Sequence, residues 1–211
     1  MKNEYILNQV PPDYYEKGIN TNILQRIWHT KKLSMFKSII SDIKCDNILD
    51  IGCAGGTFTN NISKILPKAE ITGIDLYSSA IEYGKNKYPH INFILADAHN
   101  IPFKNKSFDL IICYETIEHL NNPPQALKEI RRVLKNDGHT IVAMDSGSLL
   151  FKIVWWFWEK TKGKVWQGAH IHTYNHKELE NIIKKAGFKI KLKHFSHLGM
   201  EVSFLLKNEN I

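Results

Sequence analysis

The sequence predicts an α/β fold in which seven strands alternate with helices along one chain. Three observations carry that expectation. Short apolar runs ("NILDI", "ITGIDL", "INFILAD", "FDLIICY", "HTIVAMD") alternate with segments whose apolar residues recur at helical spacing. The first run ends in an acid and a turn of small residues, "DIGCAGGT", from which a helix starts. The 211 residues suffice for one domain with a sizeable core.

"NILDI" reads as a short buried strand. "TNNISKIL" follows as a helix, with Phe58, Ile62, Ile65 and Leu66 on one side; Phe58 is expected in the core. "ITGIDL" is the second strand, and "SSAIEYGKNKY" a helix with a serine available to cap it. "INFILAD" and "FDLIICY" are the third and fourth strands. "PPQALKEIRRVLK" is a helix whose prolines suit its first turn. It buries Leu127, Ile130, Val133 and Leu134 and turns Lys128, Arg131, Arg132 and Lys135 to water. "HTIVAMD" is the fifth strand.

"NHKELENIIKKAGF" opens on Asn175 with Glu178 three residues later, the pattern of a capping box, and Gly187 is placed to end that helix. "FKIKLKHF" alternates strictly, so Lys189, Lys191 and Lys193 are expected on one face, as on an edge strand that refuses a second sheet. A phosphate-binding stripe would look the same. "MEVSFLLK" is the last strand. Segments 1–37 and 146–174 break the alternation and are expected to cap the sheet within a single domain, 1–211, around a core of 38–145 and a C-terminal unit of 175–211.

Composition bounds the function. The amino terminus "MKNEYILNQVPPDYY" is too polar for a secretory signal. No apolar run approaches the ~18 residues that span a bilayer. Cys45, Cys53 and Cys113 have neither metal-ligand nor CxxC spacing, and their odd number argues against a disulfide framework; a reducing cytoplasm fits. The net charge of +7 serves solubility or an acidic partner.

The glycine turn narrows the ligand. Where a phosphate-binding loop needs Gly-Lys-Ser/Thr, the chain has Thr57, Phe58 and Thr59. Where a dinucleotide site needs GxGxxG, it has Gly52, Ala54 and Thr57. The pattern present is acid-x-Gly-x-x-x-Gly, at Asp50, Gly52 and Gly56. With "GIDLYSSAIEYGK", "ADAHNIPFKNKSFDLIICYETIEHL" and "ALKEIRRVLKNDGHTIVAM" following in order, residues 47–145 resemble the class I S-adenosylmethionine-dependent methyltransferases. Ala54 stands where that family often has glycine, and Asn136-Asp137-Gly138-His139 replaces its usual Pro-Gly-Gly.

The resemblance implies a Rossmann-like sheet, mostly parallel with an antiparallel last strand and helices on both faces, and S-adenosylmethionine as cofactor. Asp75, with Leu76 beside it, would accept from both ribose hydroxyls. Asp97 would accept from the adenine amino group and the Ala98 N–H would meet a ring nitrogen. Asp50 and the backbone of Gly52 and Ala54 would receive the ammonium end; Tyr114 and Glu115 would face the same cleft. Tyr14, Tyr15, Arg26 and His29 are offered by a segment expected to fold over the cofactor as a lid and meet its carboxylate.

For the acceptor, His119, His170 and His172 are the candidate bases. Two histidines do not complete a metal site, so no metal is expected. "LLFKIVWWFWEKTKGKVW" sets Trp155, Trp156, Phe157, Trp158 and Trp166 beside Lys160, Lys162 and Lys164. It reads either as an aromatic wall over the acceptor pocket or as a membrane-surface contact through 149–166. The expected activity is methyl transfer to a small-molecule or lipid-like acceptor, as in the quinone-biosynthesis methyltransferases that this core resembles. An RNA or protein acceptor is the weaker alternative, since "YETI" stands where amino-group nucleic-acid methylases carry Asn-Pro-Pro-Tyr. A non-catalytic cofactor-binding module is the other.

Overall fold

The computed structural model describes residues 10–161, 163–166, 172 and 174–209. Two helices, α1 (Tyr14–Thr21) and α2 (Ile23–Ile39), precede the sheet. There follow β1 (Asn47–Ile51), α3 (Thr57–Ile65), β2 (Glu70–Asp75), α4 (Ser78–Lys87), β3 (Asn92–Leu95) and β4 (Phe108–Tyr114). The chain continues through α5 (Pro123–Val133), β5 (Leu134–Asp145), α6 (Leu149–Lys160), α7 (His176–Lys185), β6 (Phe188–Ser196) and β7 (Glu201–Asn208). The strands form one seven-stranded sheet in the order β3-β2-β1-β4-β5-β7-β6. Strands β1 to β5 pair in parallel, and β7 runs antiparallel between β5 and β6.

Each face of the sheet buries its own layer. On one, Leu127, Ile130 and Val133 of α5 and Leu179 and Ile183 of α7 pack on Leu49, Ile111 and Val142. On the other, Phe36 and Ile39 of α2, Ile62 of α3 and Ile81 of α4 pack on Ile48, Leu110 and Ile141. Strands buried on both faces read as continuous apolar runs, which is why β1 and β4 are legible in the sequence.

The helix ends follow local chemistry. Asn175 accepts from the N–H groups of Lys177 and Glu178, and Glu178 accepts in return from the Asn175 N–H, closing the expected capping box. Gly187, at φ +84°, takes the left-handed position beyond α7. Asn122 caps α5 ahead of Pro123.

The lysine stripe is corrected. β6 is the edge strand, but its register shifts between Ile190 and Leu192, which leaves Lys191 as an extra residue. A one-residue bulge exchanges the faces of everything after it. Lys193 therefore lies on the Ile190 side, where its ammonium meets Glu180 of α7 at 2.7 Å, while Lys189 points the other way opposite Lys207.

Candidate functional site

The carboxyl ends of β1, β4 and β5 open onto two adjoining cavities. The smaller, about 60 Å³, is lined by Asp50, Gly52, Cys53, Ala54, Tyr114 and Glu115 from the sheet side and by Tyr15, His29 and Lys32 from α1 and α2. The larger, about 440 Å³, is walled by Trp28 of α2, by Phe151, Val154, Trp155 and Trp158 of α6, and by Leu198 and Met200; Glu118, His119 and Asp145 also line it. Tyr15, His29 and Glu115 belong to both.

The glycine turn is shaped by close packing. Gly52, at φ +74°, lies against the Thr116 side chain where a Cβ would stand, and its N–H donates to the Ile74 carbonyl at 2.8 Å. Ala54 holds φ +47° without being glycine. Its N–H donates to Asp75 Oδ2 at 2.9 Å, and the Tyr77 N–H donates to Asp75 Oδ1 at 2.9 Å. Each Asp75 oxygen so keeps acceptor capacity, as a carboxylate that clasps a vicinal diol requires. Burial raises the Asp75 carboxyl above its ordinary range, and the Tyr77 and Ala54 N–H groups oppose that rise. Gly56, at φ +80°, opens α3.

Asp50 is buried and accepts from the Thr59 hydroxyl at 2.6 Å; burial pushes its carboxyl up to about 7. Such a group gains from a cation beside it. Asp97 Oδ1 accepts from the His99 ring at 2.6 Å, while His99 Nε2 accepts from the Asn122 N–H at 3.1 Å, so the ring proton sits on Nδ1. Oδ2 of Asp97 remains without a protein partner among the described residues. Asp75, exposed Leu76, Asp97 and buried Ala98 line neither cavity.

Glu115 holds φ +48°, a left-handed residue at the junction of the cavities. Lys32 and Trp28 both donate to it, at 2.6 and 3.1 Å. Despite its burial, the Lys32 and His29 charges keep Glu115 well below the ordinary carboxylate range. His29 lines both cavities, its pKa lowered to about 4 by burial and by Lys32. Phe58 packs on Phe36 and Tyr114 but also lines the small cavity, so it is core and cavity wall together.

The expected residues are only partly brought together. Arg26 is turned away: its guanidinium donates to the Ile19 and Asn20 carbonyls and closes the end of α1. Tyr14 lines the larger cavity. The His172 N–H donates to the Glu118 carbonyl at 3.1 Å, and its ring stacks on Tyr174 outside the two cavities. His170, Lys162 and the Trp166 side chain lie outside the described residues. The α6 helix divides its aromatics: Trp155 and Trp158 face the cavity, while Trp156 and Phe157 face outward.

Sequence reasoning missed Lys32, Trp28, Glu118 and Asp145. Asp145 carried a usable signal, since it ends β5 as Asp75 ends β2. Burial pushes it up to about 6. Glu118, buried in the short turn Ile117–His119, is raised well above its ordinary range by burial and then by the Asp145 and Glu115 charges.

The fold and the site define an α/β enzyme class that binds a ligand beyond the carboxyl ends of a parallel sheet. Comparison with known proteins makes the class specific. Residues 49–142 match the family described as a methyltransferase domain. The demethylmenaquinone methyltransferase of Staphylococcus haemolyticus is 30% identical over 179 residues, covering 72% of this chain and 74% of that protein. The demethylmenaquinone methyltransferase of Thermotoga maritima is 30% identical over 113 residues, covering 54% of this chain and 49% of that protein. A solved structure from Thermotoga maritima, described as a SAM-dependent methyltransferase and possible histamine N-methyltransferase, superposes with a TM-score of 0.74 at 22% identity, covering 99% of this chain and 100% of that one. That likeness concerns the fold. The chain belongs to the class I S-adenosylmethionine-dependent methyltransferases. It spans 50%, 49% and 36% of the length of three curated relatives that it matches.

Proposed function

We propose that the chain binds S-adenosylmethionine and transfers its methyl group to a small-molecule or lipid-like acceptor. The observation that carries this reading is the pair of cavities meeting at Tyr15, His29 and Glu115. One is small, set against the glycine turn, and includes Lys32, Asp50 and Glu115 in its lining. The other is large, apolar and aromatic, as acceptor pockets are.

The residues fit the cofactor. Asp75 has the type and place to clasp the ribose diol, with Leu76 against the nucleoside. Asp97 offers Oδ2 to the adenine amino group and Ala98 its N–H. Asp50 and the main chain of Gly52 and Ala54 would receive the ammonium end, with Gly56 opening the helix behind them. Tyr114 and Glu115 would face the sulfur end. The bound cofactor supplies a methyl group on a sulfonium, open to in-line displacement. The chain's own contribution is alignment and exclusion of water, and good positioning alone is worth ~7–11 kcal/mol. Residues 10–37 act as the lid of this site, and α6 walls the acceptor side. His119 lines the acceptor cavity and keeps its place as a candidate base.

The outward face of α6 favours one addition, peripheral contact with a membrane. Leu149, Leu150, Ile153, Trp156 and Phe157 are exposed there beside the cavity mouth, and Lys160 stands 3.5 Å over the Trp156 ring. Tryptophan and lysine together suit the headgroup boundary. Among the described residues no helix is long and apolar enough to cross a membrane.

Calorimetry with S-adenosylhomocysteine tests the central reading. Binding is expected, and Asp75→Asn should weaken it roughly ten- to a hundredfold, the worth of one charge-assisted hydrogen-bond set. Absence of any binding to the folded protein would overturn it.

A further inference from the structure

We propose that the acceptor is a basic amine on an apolar or aromatic body, its nitrogen seated between Glu118 and Asp145 in the larger cavity. The proposal rests on the methyl-transfer reading and narrows its acceptor.

Charge balance is the first argument. Glu115, Glu118 and Asp145 line the larger cavity, and Glu201, the partner of Asp145 across β5 and β7, is buried beside them. Among the described residues one buried ammonium serves these four carboxyl groups, and it is committed to Glu115: Lys32, at 2.6 Å. Lys31 lines the cavity but is exposed, and Lys152 acts on Asp145 from an exposed position. Of the histidines facing this region, His29 and His197 are both held towards the neutral form by burial, and His119 completes the set. Among the described residues the Glu201 carboxyl accepts a hydrogen bond from Ser196 at 3.1 Å, and His197 Nδ1 lies 3.8 Å from its other oxygen.

The second argument is an orphaned atom. Glu118 is 2% exposed, and its Oε2 is buried with no hydrogen-bond partner among the described residues. An unsatisfied buried carboxyl oxygen is costly, and the cost is recovered when a donor arrives. A neutral hydroxyl would satisfy one oxygen and leave Glu118 and Asp145 opposing each other. An ammonium offers several donors and a charge that offsets both carboxylates.

The third argument is the wall. Tyr14, Tyr15, Trp28, Phe151, Trp155 and Trp158 enclose this acidic floor. Aromatic faces attract cations, so the same surface that takes an apolar body also favours a positive head.

The chemistry then balances. The ammonium N–H bond breaks and its proton passes to the Glu118 carboxylate, which burial makes a stronger base than an exposed one. The freed lone pair bonds to the methyl carbon as the carbon–sulfur bond breaks, and that electron pair goes to sulfur. The products are a neutral thioether, an N-methylammonium and a protonated Glu118. In the resting protein the acidic floor holds a proton that an incoming ammonium displaces.

The test uses the full chain saturated with S-adenosylhomocysteine and two probes of one shape, phenethylamine and 2-phenylethanol, titrated by calorimetry. The amine is expected to bind more tightly by about tenfold or more. Its heat should vary with the ionisation enthalpy of the buffer, because protons leave the protein. Glu118→Gln should abolish both the preference and the buffer dependence. Asp145→Asn, which keeps an acceptor for the Gly147 N–H, is the second variant and should weaken both. Equal binding of amine and alcohol, a preference that survives both substitutions, or binding of neither probe while S-adenosylhomocysteine binds would overturn the proposal. Failure of S-adenosylhomocysteine itself to bind would instead remove the methyl-transfer reading.

Discussion

The Lys32 ammonium lies 2.6 Å from the Glu115 carboxylate, with 5% of the lysine side chain exposed. The pair ties α2 to the turn after β4 where the two cavities meet. Trp28, one turn earlier on α2, donates to the other carboxylate oxygen and stacks its ring on His197 at 3.9 Å. One carboxylate so organises the helix over the site and part of the wall of the larger cavity.

Removing one member of such a pair strands the other in a poor solvent. Lys32→Met should lower unfolding free energy by about 1–3 kcal/mol, the cost of leaving a charged group without its partner where Glu115 keeps 25% of its side chain exposed. The double variant Lys32→Met/Glu115→Gln should cost clearly less than the sum of the single ones. Urea unfolding of the four proteins measures both. Additive losses would show that the two side chains do not act as a unit.

The N-terminal helices lie on the glycine turn through Gly55. A Cβ there would collide with the Pro12 carbonyl, while Glu16 of α1 is held by the Tyr83 hydroxyl at 2.5 Å and by Lys87 at 3.0 Å. Gly55→Ala should lift this segment without disturbing the sheet. The expected result is faster proteolysis before residue 40 and weaker S-adenosylhomocysteine binding, with thermal unfolding of the core nearly unchanged. Wild-type affinity in a variant whose N-terminal segment is cleaved faster would show that the helices are packing alone and not a lid.

The sheet was legible because its signals are local. A buried strand is an apolar run, a capped helix shows its cap, and the glycine turn is contiguous. The larger cavity is built otherwise, from Trp28, Glu118, Asp145, Trp155 and Leu198, each on a different part of the chain. No spacing connects them. Lys32 reads in "HTKK" as a solvent-facing cation, and its burial is matched by Glu115 and by the rings of Phe58 and Tyr114, all distant in sequence. The bulge at Lys191 is equally silent: the strict alternation of "FKIKLKHF" contains no glycine or proline to announce it. Arg26 fails for the opposite reason, being captured locally by carbonyls of the preceding helix.

Burial of acids with too few cations makes stability depend on pH. Asp145 is pushed up to about 6 and Asp50 to about 7, both by burial. A carboxyl whose folded pKa exceeds its unfolded one binds more protons when folded, so its contribution is present below the unfolded value, ~4, and fades as pH rises through the folded value. The protein without ligand should therefore lose stability between about pH 4 and pH 7 on account of these groups. Glu115, held below its ordinary range by Lys32 and His29, acts with the opposite sign and only in more acidic solution. Asp145→Asn should flatten the fall and raise the melting temperature at pH 7 more than at pH 5. A melting temperature that shifts equally at both would show that the Asp145 carboxyl is not raised by folding.

The exposed rim of the larger cavity gives the last prediction. Leu149 is 75% exposed, Phe157 60% and Trp156 51%, and Leu24 and Leu198, which line the cavity, are 66% and 83% exposed. A rim of this kind is stable in water only at a cost that contact with lipid would remove. With a net charge of +7 the chain should float with anionic vesicles and less with neutral ones, and added salt should weaken the attachment. Trp156 and Phe157 do not line either cavity, so the double variant Trp156→Glu/Phe157→Glu should keep S-adenosylhomocysteine affinity. Its vesicle partition should fall by about tenfold or more, given ~1.5–3 kcal/mol for burying each large apolar side chain. Wild-type protein that stays with the unbound fraction at low salt would leave the outward face of α6 without a membrane role.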